Sequence, residues 1–334
     1  MPLLSDIGVV YDEMFLQHGS PQHPERPERL VAIVAHLQSE GLWDAVGRLE
    51  PRPAPLEAIE AVHDPDYVAL VREVCEAGGG HLDIETPLSA QTYDAARLAV
   101  GAAMAAADAV VTGRARSCFA LVRPPGHHAT RGCCMGFCVF NNVAIAAEHS
   151  LREHRLRRVA IVDWDLHHGN GTQDAFFARG DVLYVSIHQH PKYPGTGMRD
   201  EIGVADGEGA TVNIPLPAGA GDEEYLRAFA DIVAPILQQY EPQLILVSAG
   251  FDAHFADPIG GMLMTSRGFA DLARVVRDVA AKACDGRLAL VLEGGYDLDG
   301  LAASVAAVLR QLAGVDVRGL RTEVPPAHPR QRAR

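Results

Sequence analysis

The sequence predicts an α/β fold built on a parallel sheet, with its chemistry gathered at the carboxyl ends of the strands. Three observations predict it: five short β-branched and aliphatic runs recur along the chain, none alternates cleanly with polar residues, and helical patterns lie between them. In chain order the runs are SCFALV at 117–122, RVAIVD at 158–163, VLYVSI at 182–187, QLILVS at 243–248 and RLALVLE at 287–293. Such runs are how strands buried on both faces read. The segments Val143–Glu153, Glu223–Gln239 and Ser266–Ala283 carry helical spacing, and right-handed crossovers follow. No repeat, low-complexity linker or composition break divides the chain, so residues 1–314 are expected to form one domain. Residues 315–334, rich in Pro and Arg, are expected to be a peripheral or disordered tail.

With 334 residues, 48% of them apolar, the chain has ample material for a core. A formal charge of −14 argues against a direct nucleic-acid partner, which needs clustered Lys and Arg, and favours cations instead. The opening residues MPLLSDIGVVYDE lack a basic segment followed by an apolar one, and the apolar window Leu98–Val111 is broken by Gly101 and Asp108. The expectation is a soluble cytoplasmic protein with no membrane partner, free to form oligomers. Its six cysteines include CCMGFC at 133–138, which lacks paired C-x-x-C knuckles; reduced, mostly buried thiols are expected.

Ligands of open parallel sheets bind beyond the carboxyl ends of the strands. After the five runs come RPPGHHATRGCCMGFCVFNN, DWDLHHGNG, HQHPKYPGTG, AGFDAHFADP and GGYDLDG, a set of His, Asp, Tyr and Gly that a purely structural sheet would not require. Asp165 and His167 share one strand end and Asp252 arrives from another. Two carboxylates and one imidazole make a three-ligand metal site with open positions, typical of hydrolytic zinc and tolerated by Fe(II) or Co(II). Any one of the three alone would read as a helix cap or a core histidine. His127 and His128, held by the stiff RPPG segment, supply groups that titrate near operating pH, with Asp163 and Asn170 as candidates to orient them. Tyr296, turned by the two glycines before it, offers an O–H to a developing oxyanion.

The motifs RPPGHHA, GFCVFNNVA, VDWDLHHGNGTQ, VSIH…YPGTG, SAGFDAH…DP and LEGGYDL resemble the histone deacetylase superfamily, and HHGNG is similar to its class II branch and bacterial relatives. The resemblance runs from about His23 to Tyr296. It implies the arginase-deacetylase fold, a single α/β domain around an eight-stranded parallel sheet, and zinc-dependent hydrolysis of an N-acetylated amine. It implies Asp165, His167 and Asp252 as zinc ligands, and His128 as general base and then general acid. His127 would be its electrostatic neighbour, with Asp163 behind His127 and Asn170 behind His128. Tyr296 would polarise the acetyl carbonyl and hold the oxyanion.

The resemblance also implies a narrow tunnel walled by Phe137 and Tyr193, with Gly136, Gly295 and Ile259 beside it. Arg29, in HPERPERL, matches an arginine of an interior acetate cavity. A structural potassium ion would use Asp163, Asp165, His167, Ser186 and Ile187, mostly through carbonyls. Expected partners are acetyl-lysine peptides or proteins, with acetylated polyamines as the alternative. Against strict polyamine selectivity, Asp257-Pro258 is followed by Ile259 where that branch carries an acidic residue. A binuclear manganese ureohydrolase would want carboxylates where Gly169 and His254 stand, and a non-catalytic acyl-lysine binder would not require the two histidines with Tyr296.

Overall fold

The computed structural model describes residues 4–19, 22–315 and 317. The strands are β1 (Ile7–Val10), β2 (Gly47–Leu49), β3 (Gly79–Asp83), β4 (Thr86–Ser89), β5 (Ser117–Ala120), β6 (Val159–Asp163), β7 (Val182–Gln189), β8 (Thr211–Leu216), β9 (Leu244–Ala249) and β10 (Leu288–Leu292). Eight of them form one sheet in the order β2-β1-β5-β10-β9-β6-β7-β8, and every pairing in it is parallel. β3 and β4 make a separate antiparallel hairpin. The eight parallel strands agree with the expected fold.

All five predicted runs are strands, and every residue of β5, β6, β7, β9 and β10 is buried. Helices on both faces explain the unbroken hydrophobicity. Thr92–Val111 is the longest helix and packs its alanine-rich surface into the main core, while Ser266–Ala283 and Leu298–Leu312 pack on each other. The predicted helix at Ser266–Ala283 has those limits. The run predicted at 223–239 is helical over 222–240 but widens to a π-helical turn at Phe229–Val233. Pro235 stands two residues beyond Val233; lacking an N–H, it cannot continue the regular hydrogen-bond ladder.

The topology assembles the site. The chain leaves β5 and begins β6 three positions along the sheet, and the last two strands, β9 and β10, later fill the two places between them. Consequently β5, β10, β9 and β6 lie side by side, all parallel, and their carboxyl ends form one edge. The segments carrying His127–His128, Tyr296, Asp252 and Asp165–His167 leave from these four ends. Among the described residues, no helix is long and apolar enough to cross a membrane. The tail expected at 315–334 lies outside the described residues except for Val315, which packs against the main core, and Val317, which is buried with Ala270 and Ala307.

Candidate active site

Asp165, His167 and Asp252 are buried and present ligand atoms that all lie within 4.8 Å of one another. His167 Nδ1 faces Asp165 Oδ1 at 3.2 Å and Asp252 Oδ2 at 3.0 Å. Backbone amides fix both carboxylates: Asp165 Oδ2 accepts from Gly294 N–H at 2.8 Å, and Asp252 Oδ1 accepts from Leu166 N–H at 2.9 Å. At Gly294 a Cβ would lie 2.4 Å from Asp252 Oδ2 and 2.7 Å from Asp165 Oδ2, so this position must be glycine for the carboxylates to converge. Burial and the neighbouring Asp165 push the Asp252 carboxyl up. The donor set fits a borderline divalent cation, which would relieve the conflict of two buried carboxylates with each other. His254, two residues beyond Asp252, is not among the gathered donors.

The adjacent histidines have different partners. His127 Nδ1 donates to Asp163 Oδ2 at 3.0 Å, and its Nε2 lies 3.7 Å from Asp165 Oδ1. Burial opposes its charge, but Asp163 and Asp165 outweigh burial and hold its pKa up to about 10. His128 Nδ1 donates to the neutral Asn170 Oδ1 at 2.8 Å. Burial first, then the neighbouring His127 and His167, press the His128 pKa well below the usual histidine range. One ring is therefore set as a cation and the other as a neutral base, with the rings 4.1 Å apart between centroids.

Tyr193 meets His128 edge-on at 5.1 Å, and Phe137 meets Tyr296 edge-on at 5.7 Å. Gly136 has φ +53°, and a Cβ there would lie 2.5 Å from His128 Cδ2 and 3.0 Å from the Tyr193 ring. Phe137 itself sits at φ +71°, an unusual conformation for a bulky residue, and its N–H donates to Thr86 Oγ1 of β4 at 3.1 Å. The hairpin thus latches an aromatic wall. Asp257 spends its carboxylate on four backbone amides, those of Ile259, Gly260, Tyr296 and Asp297. Ile259 accepts through its carbonyl from Lys192 Nζ at 2.8 Å.

Arg29 is fully buried. Its guanidinium donates to the Gly295 carbonyl at 2.6 Å, the Glu293 carbonyl at 2.5 Å and Glu25 Oε1 at 3.0 Å, and lies 5.0 Å from the Tyr296 ring centroid. Among the residues assigned to potassium, Asp163 of β6 pairs in register with Ser186 of β7, and Ile187 follows. Ser186 Oγ also contacts His188 Nδ1 at 2.9 Å.

Sequence reasoning missed three supports. Glu293 accepts from the N–H groups of Gly126 and His127 at 2.7 and 3.2 Å and from Ser248 Oγ at 3.2 Å, thereby fixing the backbone that carries the histidine pair. An ionisable residue ending the apolar run RLALVLE was its signal. Tyr184 donates its O–H to Asp163 Oδ2 at 3.0 Å, and Arg123 pairs with Glu25 beneath the loop. Neither could be paired from spacing alone.

The model of the histone deacetylase domain matches residues 23–312. The chain belongs to the histone deacetylase family. It is 43% identical over 318 residues to a probable deacetylase of Archaeoglobus fulgidus, covering 94% of this chain and 88% of that protein. A histone deacetylase-like amidohydrolase of Pseudomonas aeruginosa is 40% identical, over 88% of this chain and 77% of its own. Human polyamine deacetylase HDAC10 is 42% identical over 87% of this chain, which spans 44% of that longer protein. The crystal structure of the HDA15 HD domain superposes with a TM-score of 0.89 at 39% identity, covering 93% of this chain and 90% of that one. As a member of the histone deacetylase family the chain is a hydrolytic deacetylase.

Proposed function

We propose that this deacetylase is zinc-dependent and hydrolyses the N-acetyl amide of lysine side chains in peptides or proteins, releasing acetate and a free amine. The observation that carries the reading is the division of the histidine pair, His127 on a carboxylate and His128 on an amide oxygen, beside the buried Asp165–His167–Asp252 donor set. Asp165, His167 and Asp252 would hold the zinc, which when bound supplies Lewis acidity to the acetyl carbonyl and to the attacking water. Because Asn170 accepts the Nδ1 proton of His128, the opposite nitrogen keeps its lone pair and takes a proton from that water. The charged His127 stabilises negative charge developing nearby. Burial raises the Tyr296 phenol far above its ordinary pKa, so it remains a donor to the oxyanion. His128 then returns its proton to the departing amine. A potassium ion held by Asp163, Ser186 and Ile187 with the carbonyls of Asp165 and His167 would stiffen the same strand ends.

Phe137 and Tyr193 support a lysine stem, whose methylenes would each gain about 0.8 kcal/mol on burial. Asp257 is occupied by backbone amides and Ile259 brings no charge, which favours lysine over a substrate with a second amine. The identity with HDAC10 keeps acetylpolyamines as the second reading. Steady-state kcat/KM on an acetyl-lysine peptide, N-acetylputrescine and acetylspermidine tests the choice. A peptide value at least tenfold higher is expected; higher polyamine values would assign the enzyme to small acetylamines. Reduced cysteines support a cytoplasmic setting.

A further inference from the structure

A second donor cluster stands apart from the active site. Asp108 lies in the last turns of the helix Thr92–Val111; His149 lies in the helix Asn142–Glu153, and His154 caps that helix at its carboxyl end. Nε2 of His149 and Nε2 of His154 both meet the same oxygen, Asp108 Oδ1, at 2.8 and 2.7 Å. The three ligand atoms lie within 4.8 Å of one another, and the imidazole planes stand at 88°. All three side chains are partly exposed, at 35, 14 and 21% in sequence order, so an ion can enter from solvent. The amino end of the His149 helix supports the catalytic loop through Asn142, whose amide donates to the Pro124 carbonyl at 3.0 Å. Its carboxyl end is about 18 Å away along a helix of this length.

We infer that Asp108, His149 and His154 form a second metal site, for a borderline divalent transition-metal ion such as zinc, bridging two helices remote from the catalytic centre. Two imidazoles and one carboxylate are a standard set for such ions, with water completing the shell. With metal–ligand bonds of about 2.0–2.2 Å in a tetrahedral shell, ligand atoms stand roughly 3.3–3.6 Å apart, so each histidine nitrogen must draw back from Asp108 Oδ1 by about 0.5–0.9 Å, a shift open to partly exposed side chains. Each ring binds through Nε2 once its proton sits on Nδ1, the other neutral tautomer. Burial pushes the Asp108 carboxyl up, but in the metal-free protein its hydrogen bonds to His149 and His154 outweigh burial and hold it below the ordinary carboxylate value.

The site is independent of the catalytic reading, and the test separates them by counting a difference. The parent enzyme and the Asp108→Asn/His154→Gln variant are each dialysed to equilibrium against micromolar zinc at pH 7.5, and bound metal per chain is measured. The parent is expected to hold one equivalent more than the variant, whatever the catalytic site holds. Equal metal content at pH 7.5 overturns the proposal. His154→Gln alone, with deacetylase activity and circular dichroism as checks of folding, is the second variant; it is expected to weaken this zinc at least about tenfold, and unchanged affinity overturns the site.

Discussion

His127 and His128 are neighbours in the chain, yet Asp163 holds one ring charged and burial keeps the other neutral. The pH dependence follows from that difference. His128 must be neutral to accept a proton; its pKa is depressed, so kcat/KM should persist as pH falls through the ordinary histidine range and fail only below it. The role proposed for His127 needs its charge, so activity should decline as pH rises toward its own pKa, held up to about 10. Asp163→Asn removes the charge that raises His127, and the alkaline limb should move to lower pH; an unmoved limb in the pH–rate profile would separate His127 from catalysis. Replacing Tyr296 by Phe removes only the phenolic donor. Steady-state kinetics should show kcat lower by about 10²–10³ with KM little changed, the loss typical of one oxyanion donor.

Elements place these residues more accurately than any motif could announce. Insertion of β9 and β10 between β5 and β6 makes four strand ends adjacent, although their residues span from His127 to Tyr296 in the chain. The strands themselves were legible because burial on both faces leaves unbroken apolar runs. β1, IGVV, carries a glycine and lies between Asp6 and Asp12, so no extended aliphatic run marks it; β2 has three residues, with Arg48 among them, and β8 carries Asn213 and Pro215 at the sheet edge, where proline is tolerated. Within the site, the donor residues stood out by chemical type and spacing, whereas Glu293, Tyr184 and the Arg29–Glu25–Arg123 pairing depend on contacts between distant segments. The hairpin did not stand out as strands because β3, GGHLD, carries two glycines, a histidine and an aspartate in five residues. Gly136→Ala tests how tightly the element ends are packed: its Cβ would collide with the His128 ring, so kcat should fall at least about tenfold while circular dichroism stays native. Parental kcat would show that the loop yields freely.

Across the whole molecule, a buried ion network joins the amino-terminal segment to the catalytic edge. Glu25 pairs with Arg29 and Arg123, and His18 Nε2 lies 3.3 Å from its Oε2. Burial resists ionisation of this carboxyl, but Arg123 and His18 hold it well below the usual range. Glu25→Ala would strand two fully buried guanidiniums, and denaturant unfolding should report a loss of about 3–5 kcal/mol; an unchanged midpoint would mean that the network carries no stability. Arg29 links that network to Gly295 and Glu293, so the scaffold and the reacting edge are held by the same side chains. The proposed function requires this scaffold to present Asp165, His167 and Asp252 to a catalytic zinc. Its most direct test is acetate release from an acetyl-lysine peptide by the zinc-loaded enzyme, the metal-stripped enzyme and the stripped enzyme after zinc is restored. Turnover should disappear on stripping and return when zinc is restored, and should not return in Asp252→Ala. Full turnover by the stripped enzyme would contradict it.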